Sequence, residues 1–324
     1  MDDRFRTYQE TGTKAAQYQI SYLQDDGCYI WDGYADDAYH KQAYSWAVAG
    51  YLEEAHRLLT WVKDNTLRPD GELDAYKEDC YKYSWFFQGA HRLGRFDLSY
   101  PVMNFVLSCQ TPCGGLPHFA GDKYLRSLAT CWTGVSAIYF GQLNAAQRAA
   151  EWAISVYQQQ PEDDRFYFRT TRDGRLVTPD MDAEGALCVD IREPKQDYWE
   201  VALPLQLLCR LYQATGIERY RDWAGKFFEF KLKCADDAFS FVGSGKSSLG
   251  AALYYLISGD KRAREGAIKF CDFLVETQTD EGGWRDPEYG EPDELLIYID
   301  HAAEFNVWLH EVSSIIPAAD QRWA

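Results

Sequence analysis

Two groups of carboxyl side chains stand close enough along the chain to act together in proton transfer. Asp180, Asp182 and Glu184 lie within five residues of one another. Asp300 stands four positions before Glu304, a spacing that brings both side chains to one face of a helix. Burial and a neighbouring carboxylate each raise the pKa of a carboxyl group. The first group therefore predicts an acid that keeps its proton near neutral pH and can donate it, whereas Asp300 and Glu304 predict paired carboxylates that bind the substrate.

A third acidic pair, Asp36 and Asp37, precedes the first strongly apolar helical pattern. The candidate catalytic residues are Asp182, Asp36, Asp180 and His301. The acidic residues assigned to substrate binding are Asp37, Glu184, Asp300 and Glu304. Simpler interpretations stay open: Asp36 and Asp182 would be solvated loop charges or helix caps, and residues 300–304 would form a buried hydrogen-bond network. Acidic residues in a first helical turn, such as Asp79 and Asp197, are often only partners of the helix dipole.

Aromatic side chains make up 16% of the sequence and supply a second kind of candidate. Ring faces stabilise cations, and the same faces stack on sugars, so the rings alone do not separate these two ligands. Core packing explains most of them. The rings assigned to substrate binding stand near the beginnings of the most apolar helices: Tyr34, Tyr39, Tyr81, Trp132, Tyr198 and Trp199.

Lys246 lies in a segment rich in glycine and serine, residues 241–248, that is similar to a phosphate-binding loop. Ser240 stands where that loop requires its first glycine, so we reject the motif. Lys246 stays a candidate for binding a substrate anion at the beginning of a helix. Cys109 and Cys113 are spaced like metal ligands, but no second pair follows. We predict no metal and no cofactor.

The elements that must position these residues follow a repeat. Amphipathic helical patterns end in short polar stretches that contain Gly27, Gly71, Gly115, Gly174 and Gly283. Glycine suits such places because a helix C-terminus commonly needs a left-handed residue. A second set of helices, apolar on most sides and hence buried on most sides, alternates with the first. This second set is predicted at residues 38–51, 77–93, 124–141, 196–215, 246–258 and 293–314.

The pattern predicts an all-α fold, an (α/α)6 toroid of six helical hairpins closed around a cavity, with residues 1–324 as a single domain. One segment departs from it. Residues 166–177 alternate between apolar and polar side chains and turn at Asp173–Gly174, which predicts a short β-hairpin.

Two of the polar stretches resemble a known repeat. Gln110 with Gly114–Gly115, and Gln278 with residues 282–284, resemble the Gln–Trp repeat of squalene–hopene cyclases, oxidosqualene cyclases and protein prenyltransferase β-subunits. Residues 24–31 hold a degraded copy. The resemblance implies a toroid similar to a single-domain class II terpene cyclase. The same toroid also occurs in sugar epimerases and carbohydrate hydrolases, so fold leaves function open.

The resemblance also implies where an acid would stand. Class II terpene cyclases protonate their substrate with the middle Asp of an Asp-x-Asp-Asp motif. Residues 180–183 keep the first two Asp, which makes Asp182 the acid, while residues 34–37 keep the last two, which makes it Asp36. Residues 78–81 and the distant His301 resemble the zinc ligands of prenyltransferases. The stretch of chain between them is far longer here than in that family.

Three functions stay open. The first is a cofactor-independent cyclase, an isomerase or lyase type of enzyme, that protonates an isoprenoid with a possible polar aromatic head and steers the carbocation with aromatic rings. It predicts an apolar cavity with one isolated acid. The second is a carbohydrate hydrolase or epimerase with paired carboxylates in a polar cavity. The third is a non-catalytic scaffold with a filled toroid.

The composition of the chain limits the kinds of partner that it is expected to bind. The net charge of −17 repels nucleic acid, and no apolar run approaches the roughly 20 residues that span a bilayer. The polar N-terminus lacks the features of a signal peptide, and the nine scattered cysteines suit a reducing compartment. We therefore expect a cytoplasmic protein whose partner is a small molecule, either an isoprenoid or a carbohydrate.

Overall fold

The computed structural model describes residues 3–30, 38–74, 79–285 and 295–324. Within these ranges the chain forms twelve α-helices and four short β-strands. The helices are α1 (Asp3–Ile20), α2 (Gln42–Val48), α3 (Leu52–Asn65), α4 (Cys80–Arg92), α5 (Phe96–Ser108), α6 (Ser127–Tyr139), α7 (Leu143–Gln158), α8 (Trp199–Thr215), α9 (Glu218–Lys233), α10 (Gly245–Ser258), α11 (Lys261–Thr277) and α12 (Leu295–Trp323). The strands are β1 (Tyr124–Arg126), β2 (Arg165–Tyr167), β3 (Arg169–Thr171) and β4 (Cys188–Asp190).

Odd- and even-numbered helices differ in burial as the sequence predicts. The helix α4 buries every residue from 80 to 90, and α6 buries every residue from 127 to 137. The helix α3 buries only one face, at positions spaced three and four apart (Ala55, Leu58, Leu59 and Val62). The predicted alternation is therefore confirmed. The last helix extends beyond residue 314 to Trp323.

The first buried helix, α2, is shorter than residues 38–51 because its flanks are left-handed. Tyr39 has a φ of 73° and Gly50 a φ of 90°, so neither residue can continue a right-handed helix. The Tyr39 hydroxyl accepts a hydrogen bond from the Tyr29 backbone N–H at 2.8 Å, and its ring stacks on Trp61. These contacts hold the chain in its strained conformation before α2 begins.

The chain divides into two compact units. Unit 1 comprises Met1–Val106 and Cys271–Ser314, so it combines the first third of the chain with a segment from its last fifth. In unit 1 the amide of Asn306 on α12 donates to the carbonyl oxygen of Ser45 on α2 at 2.6 Å, and Gln278 donates to the carbonyl oxygen of Thr11 on α1 at 3.0 Å.

Unit 2 comprises Leu107–Phe270 and Ile315–Ala324. In this unit α8 packs against α6, α9 and α10. The strands form two small antiparallel sheets, in which β1 pairs with β3 and β2 pairs with β4. That residues 1–324 make one domain stays a prediction.

The predicted β-hairpin near residues 166–177 is present around its turn. The N–H of Gly174 donates to the carbonyl oxygen of Thr171 at 2.9 Å. Thr170 and Leu176 form an isolated antiparallel β-bridge. The strands in this region have further partners, because β3 also pairs with β1 and β2 pairs with β4. The facing residues Arg165 and Asp190 of β2 and β4 also form an ion pair. The segment therefore ties several loops of unit 2 together.

The two glutamines of the Gln–Gly stretches make equivalent hydrogen bonds. The Gln110 side chain donates to the carbonyl oxygens of Gly114 and Ala145 at 2.9 and 3.0 Å. The Gln278 side chain donates to the carbonyl oxygens of Gly282 and Thr11, both at 3.0 Å. Each glutamine thus fastens a turn to the odd-numbered helix that packs beside it.

The left-handed glycines of these turns are Gly114 and Gly282, each one position before the glycine that the repeat highlighted. Their φ angles are 94° and 104°. A Cβ at either position would lie 2.2 or 2.7 Å from a backbone oxygen of the neighbouring helix, that of Arg148 or Lys14. Both glycines lie in a turn beyond the helix end, so close approach to the next helix, rather than termination of their own, requires them.

Candidate functional site

The structure brings four titratable side chains of unit 1 into one cluster. We call His40, Lys41, Asp300 and Glu304 the acid cluster. The Lys41 Nζ lies 2.6 Å from Asp300 Oδ2 and 2.7 Å from Glu304 Oε2. The His40 Nε2 lies 3.2 Å from Asp300 Oδ1. One ammonium therefore bridges two carboxyl groups that α12 presents one turn apart, as their spacing predicts.

Burial and charge set the protonation of this cluster. Burial lowers the pKa of Lys41, but Asp300 and Glu304 raise it well above its usual range, so Lys41 stays an ammonium. The pKa of Asp300 is raised, because burial and the neighbouring Glu304 outweigh the opposing effects of Lys41 and Lys82. The cluster therefore makes the Asp300 carboxyl group easier to protonate than a free aspartic acid, which is the direction that an acid catalyst needs.

Aromatic rings enclose the acid cluster. The indole N–H of Trp308 donates to Glu304 Oε1 at 3.1 Å, and the Trp308 ring lies 5.5 Å from that of Trp85. The Lys41 Nζ lies 5.7 Å from the Trp85 ring centroid. On α12, His301 stacks on Phe305 with centroids 5.4 Å apart. The surroundings of the carboxyl groups are thus aromatic as well as charged.

One edge of the cluster retains contact with solvent. The side chain of Asp300 is 15% exposed, whereas those of His40 and Lys41 are 1% and 3% exposed. Tyr81 and His301 are mostly buried as well, with exposed fractions of 8% and 9%. The carboxyl group whose pKa is raised is therefore also the most accessible member of the cluster.

Unit 2 holds a different charged cluster, which we call the arginine cluster: Arg126, Asp197 and Glu200. Arg126 Nε lies 2.5 Å from Glu200 Oε1, and its terminal nitrogen lies 3.1 Å from Asp197 Oδ2. The other Glu200 oxygen accepts a hydrogen bond from the Leu128 backbone N–H at 2.9 Å. Burial raises the pKa of both Glu200 and Asp197, and Arg126 opposes it. One guanidinium is thus shared by two carboxyl groups.

A cleft of about 410 Å³ adjoins the arginine cluster. Its walls combine charged and aromatic side chains, namely His118, Phe119, Asp122, Lys123, Tyr124, Arg126 and Arg169. The rings of His118 and Phe119 stack with centroids 4.7 Å apart, and Phe119 is 41% exposed. The cleft therefore places cationic side chains beside an exposed aromatic ring.

Asp182 lies in surroundings that keep it ionised. It accepts hydrogen bonds from the Tyr124 hydroxyl, from the Gly185 N–H at 3.0 Å and from the Lys123 ammonium at 3.2 Å. These bonds, that of Tyr124 first, lower the pKa of Asp182 to about 2. A carboxylate held in this state is a poor proton donor near neutral pH. Its neighbours Asp180 and Glu184 are exposed.

The structure places the remaining candidates in several surroundings. Trp132 is buried in α6, and Tyr39 packs before α2. The Tyr198 hydroxyl donates to Asp237 at 2.6 Å. Lys246 is buried at the beginning of α10, with its ammonium 5.8 Å from the Trp199 ring centroid. Tyr34, Asp36 and Asp37 lie outside the described residues.

The sequence analysis missed His40, Lys41 and Arg126. A signal was present for Lys41, because a lysine beside an otherwise apolar helical pattern needs a buried partner. No such signal identifies Arg126, whose partners lie more than 70 positions away in the chain. In the described residues, no three His, Cys, Asp or Glu side chains come together as metal ligands, and no helix is both long and apolar enough to cross a bilayer.

No protein-family model and no curated protein matches the chain. Solved structures do match over nearly its whole length. A D-mannose isomerase has a TM-score of 0.66 and 12% identity, over 95% of this chain and 97% of the other. The α-1,6-mannanase GH76A of Salegentibacter sp. HEL1_6 has a TM-score of 0.62 and 14% identity, over 95% and 99% of the two chains.

The type II terpene cyclase MstE from Scytonema, in a complex with geranylgeranyl dihydroxybenzoate, has a TM-score of 0.58 and 13% identity, over 99% of both chains. At these identities the likeness shows the fold alone. The chain has the all-α toroid fold that these enzymes share, and the fold predicted from the sequence is confirmed. The shared fold includes enzymes of isoprenoid and of carbohydrate chemistry.

Proposed function

We propose that the chain is a cofactor-independent enzyme that protonates an isoprenoid and cyclises or isomerises it, with the acid cluster of unit 1 as its catalytic centre. The observation that carries this proposal is a buried carboxyl group, Asp300, whose pKa is raised and whose surroundings include the rings of Trp85 and Trp308. A proton donor and cation-stabilising rings are the two things that an acid-initiated cyclisation requires.

In the proposed reaction, Asp300 donates its proton to a carbon–carbon double bond or an epoxide. A new C–H or O–H bond forms, the O–H bond of the carboxyl group breaks, and a carbocation remains on the substrate. The carboxylate left behind is stabilised by Lys41 at 2.6 Å and His40 at 3.2 Å. Loss of a proton from the final cation directly to Asp300 restores the enzyme. If His301 accepts that proton instead, it must pass it back to Asp300 before the next turnover, and the cycle then has no net change in protons.

The aromatic rings stabilise the cation between these two proton transfers. Each ring face contributes roughly 0.5–2 kcal/mol to a nearby positive charge. Trp85 already lies beside the ammonium of Lys41, which shows that its ring tolerates a cation. Tyr81 interacts electrostatically with Lys41, Glu304 and Asp300, and it is a further ring that we expect to face the cation.

A carbohydrate isomerase or hydrolase is the second candidate, and a specific observation favours it. Asp300 and Glu304 both contact the Lys41 ammonium, so their nearest oxygens are at most about 5.3 Å apart. Paired carboxyl groups at this range suit acid–base work on a sugar, and a separation near 5 Å is typical of retaining glycosidases. The D-mannose isomerase and the α-1,6-mannanase share the fold with this chain.

Incubation with two substrate classes separates the candidates. One reaction contains a geranylgeranylated hydroxybenzoate and the other an α-1,6-manno-oligosaccharide or mannose, and the products are analysed by chromatography and mass spectrometry. We expect a product of unchanged mass and altered retention from the isoprenoid. Turnover of the sugar alone would overturn the isoprenoid proposal in favour of the second candidate.

A matched pair of variants assigns the acid. Asp300→Asn keeps the size of the side chain and removes the titratable proton, so turnover is lost. Asp64→Asn makes the same change on an exposed position of α3 and leaves turnover unaltered. Full activity of Asp300→Asn would exclude Asp300 as the proton donor.

A further inference from the structure

The cleft of unit 2 is positively charged in a chain of net charge −17. Three of its lining residues are cationic, Lys123, Arg126 and Arg169, and one is a carboxylate, Asp122. Cationic side chains gathered in one cleft of an acidic chain raise the local concentration of anionic ligands there.

Two of the three cations have carboxylate partners. Arg126 is paired with Glu200 at 2.5 Å and with Asp197 at 3.1 Å. Lys123 lies 3.2 Å from Asp182. Their charges are therefore largely balanced by the protein itself.

Arg169 has no such partner. Among the described residues, no carboxylate oxygen lies within 4.0 Å of its guanidinium, and its one side-chain hydrogen bond is a long one of 3.5 Å to the carbonyl oxygen of Gly185. Burial and then the like charge of Arg126 lower the pKa of Arg169. Glu200, Asp122 and Asp197 oppose this shift from a longer distance. None of these carboxylates contacts the half-buried guanidinium, so Arg169 lacks a direct carboxylate contact rather than a balancing charge.

The remaining lining indicates which anion would supply that charge. Phe119 is 41% exposed beside the stacked ring of His118, so a flat apolar group can pack on it. Asp122 accepts a hydrogen bond from the Phe119 N–H at 3.0 Å, which fixes a carboxylate in the same cleft. That carboxylate repels a doubly charged phosphate more than a singly charged group. A guanidinium binds a carboxylate through two parallel N–H donors.

We propose that this cleft binds the carboxylate of a flat, apolar organic acid, with Arg169 as its main ligand, Arg126 beside it and Phe119 against the apolar body. The proposal uses residues of unit 2 alone and does not depend on the acid cluster.

Isothermal titration of the full chain with benzoate tests this site, with benzyl alcohol and inorganic phosphate as comparison ligands. We expect benzoate to bind, benzyl alcohol to bind at least about tenfold more weakly, and phosphate to bind more weakly than benzoate. Absence of benzoate binding, equal binding of the alcohol, or tighter binding of phosphate would each overturn the proposal.

Two arginine variants show whether Arg169 is the ligand. Arg169→Met removes the unpaired guanidinium and weakens benzoate binding by about tenfold or more. Arg175→Met makes the same change at an exposed arginine on the nearby turn, which pairs with Asp173, and leaves binding unaltered. Wild-type affinity in Arg169→Met contradicts the assignment. Because the readout is binding, Asp300→Asn also binds benzoate normally, whether or not that variant turns over an isoprenoid.

Discussion

The two charged clusters have opposite arrangements of charge. In the acid cluster of unit 1, one lysine lies between two carboxyl groups, and the pKa of Asp300 is raised. In unit 2, Arg126 also serves two carboxyl groups, but a second guanidinium, that of Arg169, stands nearby without a partner. The first arrangement raises the pKa of a carboxyl group, whereas the second leaves one guanidinium without a carboxylate contact among the described residues, which is where we propose that an anion binds.

On the two proposals above, one fold keeps the side chains for reaction apart from the side chains for recognition. A carboxyl group must be buried among other carboxyl groups to hold a proton near neutral pH, and such a site repels anions. An anion site needs spare cations, and these would ionise a neighbouring acid. Keeping each set of side chains in its own unit lets both conditions hold in one chain.

The largest expected effect is on turnover. Replacing Asp300 by Asn removes the proton donor, and we expect the rate to fall by about 10²–10⁴-fold. In the wild type, turnover should decline as pH rises through the raised pKa of Asp300, because the acid is then ionised. Rate measurements across pH check this. A wild-type rate that rises over that range would show that the reaction needs the carboxylate.

The next effect is on stability in unit 1. Lys41→Met leaves two buried carboxyl groups without their shared cation, and we expect a loss of about 3–5 kcal/mol at pH 7, measured by urea unfolding. The loss becomes smaller at acid pH. The folded-state pKa of Asp300 lies above its unfolded value, so stability falls as pH rises between the two values.

Lys63→Met is the matched control for Lys41→Met. Lys63 pairs with Asp97 at 2.7 Å, but its side chain is 43% exposed. Exposed ion pairs contribute little, so we expect a change below about 1 kcal/mol. If both lysine variants lost the same stability, the acid cluster would have no special electrostatic role.

A third prediction concerns a buried cation outside both clusters. The Lys231 ammonium lies 3.7 Å from the Tyr198 ring centroid and has no hydrogen-bond partner among the described residues. Burial lowers its pKa to about 7. Lys231→Met should therefore stabilise the fold by roughly 2 kcal/mol or more.

The size of this stabilisation depends on pH. The unfolded lysine stays protonated up to its ordinary pKa, while the folded one loses its proton near pH 7. The unfolded state therefore binds more protons between these values, and wild-type stability rises with pH there. The gain in Lys231→Met should be larger at pH 6 than at pH 9. Lys233→Met, at an exposed position, should show no such trend.

The smallest expected effect is on the stability of the Arg169→Met variant. Arg169→Met removes a cation without a carboxylate partner, so we expect stability to change by less than about 1 kcal/mol, toward a more stable fold. Thermal unfolding with and without benzoate measures it. A large loss would give Arg169 a structural role in place of the proposed binding role.

The repeat pattern predicted the fold because burial is periodic. The even-numbered helices are apolar on most sides, and the Gln–Gly turns recur where odd-numbered helices meet. These are local features that a single sequence displays. The departures were also local: Tyr39 shortens α2, since its left-handed backbone is held by Tyr29 and Trp61, and nothing in the pattern signals that conformation.

The site was predicted only in part, because its chemistry depends on distant partners. The spacing of Asp300 and Glu304 placed them together, but Lys41, which decides their protonation, comes about 260 positions earlier. Asp182 resembled an acid by its neighbours in sequence, yet Tyr124 and Lys123 hold it ionised. Charge balance is a property of the folded chain, and no local pattern supplies it.

Difference infrared spectroscopy tests the central claim most directly. The C=O stretch of a protonated carboxyl group is recorded at neutral pH for the wild type and for Asp300→Asn. The account predicts a band in the wild type that is absent from the variant and that disappears from the wild type as pH rises. Identical spectra at neutral pH would mean that Asp300 is already ionised, which contradicts its role as the proton donor.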